Sequence, residues 1–316
     1  MATHCLKERN IMIYDVIIVG GGPAGLAAAL ALGIARKRVL LCDSGARRNA
    51  AAEHMQNFVT RDGAVPSEFR SVGRDQLTKY PSVEAREARV LSIAGARGAF
   101  EVMLETGVVH ARRILLATGM IDEMPAIDGF RELWARSIFQ CPYCHGWDVQ
   151  DRTWGYLAGA AEAAALTLFA LQARGWTRDL IVFTNGQFEV PESDRQTLAT
   201  AGIRLETAPI ARLIARDGKL ESVALQTGES VACAVLFAHP SQRQVDLVRS
   251  LGVEVDEHGY LVVDAMRRET SVPGIYAAGD LSSRAQAAIF AAAAGTHAAT
   301  ILNRELTSEL VMSGAL

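Results

Sequence analysis

The amino-acid sequence predicts an α/β fold with two Rossmann-like dinucleotide-binding domains. Three observations lead to this prediction. A glycine-rich turn at 20–25 stands between a strand pattern and a helix pattern, and a weaker copy of the same arrangement begins at Trp154. The chain has 316 residues, 50% of them hydrophobic, which is enough to bury two cores.

The first strand, turn and helix carry a complete nucleotide-binding fingerprint. Residues 14–19 predict a buried parallel strand, and an Ala/Leu-rich helix follows to about residue 36. Gly20 permits the tight turn, Gly22 lets the backbone approach a pyrophosphate, and Gly25 allows the helix to pack closely on the strand. The helix N-terminus supplies free N–H groups and a positive dipole for the phosphates.

The second strand ends in an acidic residue at the expected distance from this turn. Residues 38–42 form the strand pattern, and Asp43 follows about 20 residues after the fingerprint. A carboxylate in this place can accept hydrogen bonds from a ribose diol. Strand, glycines, helix and acid agree, so we predict a bound dinucleotide rather than an empty glycine-rich turn. Arg48 is close enough to Asp43 in sequence to reach the adenosine end of that ligand.

The second copy of the pattern keeps its scaffold but loses its phosphate contacts. Its strand is Trp154–Leu157, and a helix is predicted to continue through Gln172. Ala158 removes conformational freedom at the turn, and Ala160 places a methyl group where a pyrophosphate would approach. The loop at 184–187, beyond the next strand, carries no arginine for a 2′-phosphate. NADP is a possible ligand, but its site looks degraded.

A pair of cysteines, Cys141 and Cys144, lies about 120 residues beyond the first fingerprint. Two cysteines at this spacing can close a small disulfide ring, and one of them commonly has a lowered thiol pKa. We therefore expect a redox-active dithiol that exchanges electrons with a flavin. Zinc would need two more soft ligands at finger-like spacing, whereas Cys5, Cys42 and Cys233 stand alone, so no metal is predicted.

His145 directly follows the second cysteine. Imidazole has a pKa of about 6.5, so a histidine beside a thiol nucleophile can take a proton at neutral pH and return it later. A structural or surface histidine is the alternative. Asp148 either orients this ring or is simply exposed. Tyr143 and Trp147 either line a pocket for a compact apolar substrate or are packing residues.

Composition and charge exclude other classes of protein. The formal net charge is −3 and the basic residues are scattered, so no nucleic-acid partner is expected. The charged start at 1–10 leaves no room for the apolar core of a signal peptide, and we expect a cytoplasmic protein. Residues 285–302 are Ala-rich but interrupted by Gly295, Thr296 and His297, which predicts a buried helix rather than a membrane span.

Three further landmarks complete an ordered set of motifs. An apolar strand ends in Thr118-Gly119, a second ends in Gly279-Asp280 ahead of a helix from about Gln286 to Leu302, and Asn57 lies in a Gln-Asn-Phe segment. Over nearly its whole length the chain resembles the low-molecular-weight thioredoxin reductases among the two-dinucleotide-fold flavoproteins, with three-layer ββα/βαβ domains. The resemblance implies an FAD-binding domain of residues 1–122 and 245–316. It also implies an inserted NAD(P)-binding-like domain of residues 123–244 carrying the cysteines, and a homodimer.

The resemblance also implies which residues bind FAD. Asp280 should bind the ribityl or pyrophosphate region, and Gln286 and Ala287 should begin a helix whose N–H groups face the pyrimidine edge of the flavin. A partial positive charge there would stabilise a reduced, anionic flavin. The complete set of expected cofactor-binding residues is Gly20, Gly22, Pro23, Ala24, Gly25, Asp43, Arg48, Asn57, Thr118, Gly119, Gly279, Asp280, Gln286 and Ala287.

The cysteine motif departs from that of thioredoxin reductases, which carry aspartate directly after the second cysteine. Here His145 takes that place, and the run Cys-Pro-Tyr-Cys-His-Gly-Trp resembles FAD-dependent dithiol oxidases that close disulfides in small natural products such as gliotoxin, holomycin and romidepsin. That resemblance implies catalytic roles for Cys141, Cys144 and His145. A substrate thiolate would attack Cys141 and release Cys144 toward the flavin, and electrons would pass to oxygen or NADP.

Two other functions stay open at this point. The first is an NADPH-dependent disulfide reductase acting on thioredoxin or a related protein, with the nucleotide held by contacts that the fingerprint does not reveal. The second is a flavin-bound redox sensor without multiple turnover. Our prediction is the dithiol oxidase of natural-product biosynthesis, with a small-molecule dithiol as substrate.

Overall fold

The computed structural model of the protein describes residues 12–314. The charged start at 1–10, on which the expected absence of a signal peptide depends, and Cys5 lie outside these residues. The described chain divides into two compact units. The first contains the residues up to Arg48, Ser67–Ile121 and the chain from Arg243 onward, and the second contains Asn49–Pro66 and Asp122–Gln242.

The strands and helices are numbered along the chain. The strands are β1 Ile13–Val19, β2 Val39–Asp43, β3 Val83–Glu87, β4 Val90–Ala96, β5 Ala99–Leu104, β6 Gly107–Leu116, β7 Ile121–Glu123, β8 Ile138–Phe139, β9 Trp154–Leu157, β10 Leu180–Phe183, β11 Arg204–Glu206, β12 Ile210–Arg216, β13 Lys219–Leu225, β14 Ser230–Ala232, β15 Val235–Ala238, β16 Ser241–Arg243 and β17 Ile275–Ala277. The helices are α1 Pro23–Ile34, α2 Pro66–Leu77, α3 Phe130–Leu133, α4 Pro142–His145, α5 Leu166–Ala173, α6 Glu192–Thr200, α7 Asp246–Ser250 and α8 Ala288–Met312. Short 3₁₀ helices lie at Ala160–Ala165 and Asp280–Ser282.

The first unit is built on a seven-stranded sheet with the order β3-β2-β1-β6-β5-β4, and β17 also pairs with β6. The strands β1, β2, β3, β6 and β17 are parallel, whereas β4, β5 and β6 form an antiparallel meander. Every residue of β2 is buried, as expected for a parallel strand covered on both faces. Exposed and buried residues alternate in β5, which indicates that one of its faces meets solvent.

Helices α1 and α8 pack with β1 and β2 in one core cluster of the first unit. The two helices approach each other closely at Gly295. A Cβ atom at this position would lie 2.8 Å from the carbonyl carbon of Ala24 in α1, so only glycine fits without a backbone shift. This packing holds the start of α1 in place, where the fingerprint turn ends.

The second unit repeats the parallel arrangement. Its five-stranded sheet has the order β11-β10-β9-β15-β8, with every pairing parallel, and a separate antiparallel sheet contains β12, β13 and β14. The core is aromatic: Trp154, Tyr156 and Phe237 are buried together in one cluster. The indole N–H of Trp154 donates to the carbonyl of Val149 at 2.8 Å, which satisfies the polar atom of this buried ring.

The division into units differs from the sequence-based domains at one segment. Residues 49–66 belong to the second unit, although the sequence-based division placed them in the first half of the FAD-binding domain. The other changes of unit fall at β7 and β16, which pair as a two-stranded sheet close to the predicted boundaries at 122 and 244. The binding role of each domain stays a prediction.

Two helices differ from the sequence-based expectation. The helix predicted through Gln172 consists of a 3₁₀ helix, Ala160–Ala165, followed by α5. The 3₁₀ turn forms because the N–H of Glu162 donates to the Gly159 carbonyl at 3.0 Å, while the N–H of Gly159 donates to the Glu162 side chain. Helix α8 continues past the predicted end at Leu302 to Met312. No helix among residues 12–314 has the length and apolar character needed to cross a membrane.

Candidate functional site

The first fingerprint turn has the geometry of an open anion cradle. Gly20 has a φ of 113°, and a Cβ there would lie 2.7 Å from the carbonyl carbon of Ala117. By contrast, a Cβ on Gly22 would meet no heavy atom within 4 Å. Helix α1 begins at Pro23, with Gly22 as its N-cap. The first N–H groups of α1 can therefore hold a pyrophosphate.

The acidic residue at the end of β2 lies directly against this turn. Asp43 is 5% exposed, and its Oδ1 accepts the N–H of Gly45 at 3.1 Å. Its other oxygen pairs with Arg70 of α2, a residue without a sequence signal because it comes from another element. A Cβ on Gly21 would lie 2.7 Å from Asp43 Cγ, so the middle glycine of the turn is also constrained.

A second group of expected residues meets around Arg48. Its Nη1 donates to Asp280 Oδ2 at 3.0 Å and to Gln286 Oε1 at 2.6 Å. Its position in the sequence predicts that Arg48 lies near the adenosine end of the ligand, beside Asp43. The structure instead pairs Arg48 with the two residues expected at the ribityl and pyrimidine parts of FAD. Ala287 lies in extended backbone immediately before α8.

The remaining expected residues lie on turns. The N–H of Ala117, just before Thr118, donates to the Val19 carbonyl at 2.8 Å, and Gly119 has a φ of 65°. This turn therefore lies beside the end of β1. Gly279 has a φ of 96° ahead of Asp280. Asn57 belongs to the second unit, where its N–H donates to Asp62 Oδ1 at 2.7 Å.

The two cysteines of the motif are half-buried free thiols at the start of α4. Hydrogen bonds from the Cys144 thiol and from the main-chain N–H groups of Cys144 and Tyr143 lower the pKa of Cys141 to about 7, although burial opposes this. The hydrogen bond to Cys141, together with burial, raises the pKa of Cys144. The reduced pair therefore holds a thiolate at Cys141 and a thiol at Cys144 near neutral pH.

His145 lies one residue beyond this pair and is half-buried. Burial lowers its pKa, and the Asp148 carboxylate and the main chain of Cys141 only partly offset this. The imidazole stacks on Phe139, with ring centroids 4.2 Å apart and an angle of 15° between the planes. Its Nδ1 is buried and has no hydrogen-bond partner within the described residues. The ring is thus predominantly neutral at pH 7 and able to accept a proton.

The aromatic residues of the motif are exposed. Tyr143 is 61% exposed, and its hydroxyl accepts a hydrogen bond from the Gln172 amide at 2.8 Å. Its ring packs edge-on against Trp176, with the ring centroids 5.3 Å apart. Trp147 is 76% exposed. Gln56 of the segment 49–66 donates to Asp148 at 3.4 Å. Trp176 and Gln56 carried no sequence signal, because each reaches the motif from another part of the unit, whereas Phe139 comes from β8 just before the motif.

The second fingerprint turn differs from the first in its hydrogen bonds. The N–H of Gly159 donates to Glu162 Oε2 at 2.9 Å, and the N–H of Ala160 donates to Gln187 Oε1 at 3.3 Å. Side chains of the chain itself therefore occupy donors that a dinucleotide phosphate would use. Between residues 12 and 314, no group of three or more His, Cys, Asp or Glu side chains could hold a metal ion.

Comparisons with known proteins agree with this geometry. The family model described as pyridine nucleotide-disulphide oxidoreductase matches residues 14–167 and 178–295. Thioredoxin reductase tcpT of Claviceps purpurea is 33% identical over 278 residues, which cover 85% of this chain and 86% of that protein.

Two solved structures share the fold over almost the whole chain. An oxidoreductase from Agrobacterium tumefaciens is 37% identical with a TM-score of 0.86, covering 94% of this chain and 99% of that one. The crystal structure of HlmI is 35% identical with a TM-score of 0.87, covering 96% of this chain and 95% of that one. The predicted α/β fold with two Rossmann-like domains is confirmed, as is the predicted resemblance.

Proposed function

The chain belongs to the pyridine nucleotide-disulphide oxidoreductase family, and from this premise we propose that it oxidises a small-molecule dithiol to an intramolecular disulfide through Cys141 and Cys144. It is a thioredoxin reductase-like oxidoreductase; the proposal concerns the substrate and the direction of electron flow. The observation that carries it is the position of His145, which follows Cys144 directly, is half-buried and stacks on Phe139, in surroundings that lower its pKa. Oxidation of a dithiol releases protons, so a histidine that begins unprotonated suits this direction.

FAD is the cofactor that the family implies, and the residues of the first unit fit it. The open turn at Gly22 suits the pyrophosphate, Asp43 suits the ribose diol, and the group of Asp280, Gln286 and Arg48 offers polar atoms for the rest of the ligand. When bound, FAD would supply the two-electron acceptor that re-forms the Cys141–Cys144 disulfide, and it would pass the electrons to oxygen.

The chain's own residues can carry the thiol chemistry. His145 takes the proton of the first substrate thiol, and the resulting thiolate attacks Cys141 Sγ of the oxidised pair. The Cys141–Cys144 bond breaks as the mixed disulfide forms, and Cys144 leaves with the electron pair. Cys144 then takes the proton that His145 holds, and the burial of this sulfur favours its protonated form.

The second half of the exchange releases the product. The second substrate thiol passes its proton to His145, and the resulting thiolate attacks the substrate sulfur bound to Cys141. The mixed disulfide breaks, and Cys141 leaves as a thiolate, which its pKa of about 7 favours. The substrate has lost two electrons and two protons. The cysteine pair has gained two electrons and one proton, and the other proton leaves through His145 to water.

The test is anaerobic flavin absorbance of the purified holoprotein, with dithiothreitol added to one sample and NADPH to the other. We expect rapid bleaching by the dithiol, recovery in air and formation of peroxide, and no bleaching by NADPH within the same time. Bleaching by NADPH followed by reduction of a thioredoxin would instead establish the reductase, which the names of relatives such as tcpT favour.

Several accompanying features remain predictions. These are a homodimer, a cytoplasmic location, a role in natural-product biosynthesis and the absence of nucleic-acid or membrane partners. No observation among the described residues favours the flavin-bound redox sensor, and the family relationship identifies an oxidoreductase enzyme.

A further inference from the structure

The two fingerprint turns of this chain differ in one physical respect beyond their glycines. At the first turn, a Cβ on Gly22 would meet no heavy atom within 4 Å, so the turn is open where α1 begins. At the second turn, Glu162 accepts the N–H of Gly159 and Gln187 accepts the N–H of Ala160. We call Glu162 and Gln187 together the latch.

Both latch residues are held in place by local structure. Glu162 lies within the first turn of the 3₁₀ helix, with its own N–H bonded to the Gly159 carbonyl at 3.0 Å. Gln187 ends a tight turn in which Asn185 and Gly186 have φ values of 52° and 67°, and its N–H returns to the Thr184 carbonyl at 3.0 Å. The side chain of Asn185 accepts the N–H of Ile210 at 2.7 Å, which anchors this turn.

The latch opposes a dinucleotide in two ways. A pyrophosphate binds at such a turn by accepting the N–H groups that point out of it, and the latch already accepts two of them. Glu162 also places a carboxylate where the ligand would bring negative charge, so the two anions would repel each other. The methyl group of Ala160 is a separate obstacle, because it blocks approach without using any donor.

We propose that the Glu162–Gln187 latch excludes nicotinamide dinucleotides from the second unit. It is a specificity-determining device: the protein's own carboxylate and carboxamide occupy the position of the ligand's phosphates. This inference deepens the proposed function. Its consequence, that electrons leave to oxygen rather than arrive from NADPH, rests on that function. Exclusion of the nucleotide is nevertheless measurable without any turnover.

The experiment is calorimetric titration of the FAD-loaded protein with NADPH and with NADH. Four variants are compared with the unchanged protein. Ala160→Gly restores a turn glycine and leaves the latch intact. Glu162→Ala/Gln187→Ala removes the latch, the triple variant combines the three changes, and Glu189→Ala removes an exposed carboxylate nearby without touching the turn.

The expected result is tighter nucleotide binding only where the latch is gone. Latch removal should raise the affinity by about tenfold or more, which corresponds to about 1.4 kcal/mol, and the triple variant should bind most tightly. Ala160→Gly and Glu189→Ala should stay within about twofold of the unchanged protein. FAD content and the thermal unfolding midpoint confirm folding. If the double variant does not fold, Glu162→Gln, which removes the charge but keeps the acceptor, must bind more tightly than the unchanged protein.

Two results would overturn the inference. In the first, the triple variant binds no more tightly than the unchanged protein; in the second, Ala160→Gly alone gives the full gain, which would assign exclusion to the methyl group. Failure of the proposed function is recognised separately. It would show as an unchanged protein that is bleached by NADPH, or as one that does not oxidise a dithiol in air, whatever the latch variants do.

Discussion

At the scale of single residues, Cys141 and Cys144 have the same side chain and opposite pKa shifts. The difference comes from position: Cys141 precedes α4 and accepts hydrogen bonds from its first N–H groups, whereas Cys144 lies inside the helix and donates to Cys141. A sequence motif predicts that one thiol is reactive. The hydrogen bond from the Cys144 thiol, together with the first N–H groups of α4, decides that it is Cys141.

Cys144→Ala should raise the pKa of Cys141 from about 7 toward its ordinary value of 9.0, because the Cys144 thiol makes the largest contribution to the lowered value. The measurement is the pH dependence of alkylation by iodoacetamide in the reduced protein. Cys144→Ser, which keeps a hydroxyl donor, is the matched control and should hold the pKa lower than alanine does. An unchanged pKa in Cys144→Ala would assign the shift to the helix N–H groups alone.

The same shift has a consequence for stability. The folded pKa of Cys141 lies below the unfolded one, so its contribution to the free energy of unfolding is complete above the unfolded pKa. It is lost as the pH falls through about 7. At mildly alkaline pH, the reduced protein should therefore be more stable than it would be if Cys141 kept its ordinary pKa.

His145→Ala should slow dithiol oxidation by about 10²–10⁴-fold, the usual effect of removing a general base. In the unchanged protein the rate should fall as the pH drops below the lowered pKa of His145, because a protonated ring cannot accept a proton. The measurement is the pH profile of turnover in both proteins, with FAD content as the control for folding. If the rate of His145→Ala still falls at low pH in the same way, that fall belongs to another titrating group.

At the scale of elements, α8 extends farther than its apolar pattern because charged residues fix its last turns. Arg113 of β6 is fully buried and pairs with Glu309, and the hydroxyl of Tyr276 bonds to Glu305. Glu305 also pairs with Arg267 at 3.1 Å. The periodicity that predicts the start of this helix contains no information about these partners, so its end could not be predicted.

Glu309→Ala should lower the free energy of unfolding by about 1–3 kcal/mol, since it leaves the buried guanidinium of Arg113 without its carboxylate. The Glu309 side chain is 45% exposed, so water can reach the site. The loss should therefore be about half of the 3–5 kcal/mol that is typical when one partner of a fully buried pair is removed. Chemical denaturation is the measurement. Arg304→Ala, an exposed change on the same helix, is the matched control, and an equal loss in both variants would contradict a specific role for the Arg113–Glu309 pair.

At the scale of the whole molecule, the chain contains two parallel-sheet units whose fingerprint turns have opposite character. The first is open at Gly22, and the second is closed by Glu162 and Gln187. Loss of glycine at Ala158 and Ala160 predicted a weak second site from sequence. The closure itself could not be predicted, because Gln187 reaches the turn from a loop beyond the next strand.

The expected FAD-binding residues are unevenly distributed between the units. The first unit contains the fingerprint residues, Asp43, Arg48 and the region 279–287. Asn57 lies in the second unit, with the cysteine pair. Sequence order alone suggested that Asn57 stays with its neighbours in the chain. The contacts of the segment 49–66 decide otherwise, since its residue Gln56 bonds to Asp148 beside the motif.

The sequence by itself determined the features that depend on neighbouring residues. These are the strand–turn–helix units, the fingerprint glycines, the cysteine spacing and the apolar strands, because local periodicity and backbone freedom govern them. Tertiary structure alone decided that Arg48 meets Asp280 and Gln286, that Phe139 stacks on His145, and that Glu162 and Gln187 close the second turn. Charge pairing, ring stacking and burial act over distances in space, and Arg48 and Asp280 are 232 positions apart in the chain. Only the folded chain brings such groups together.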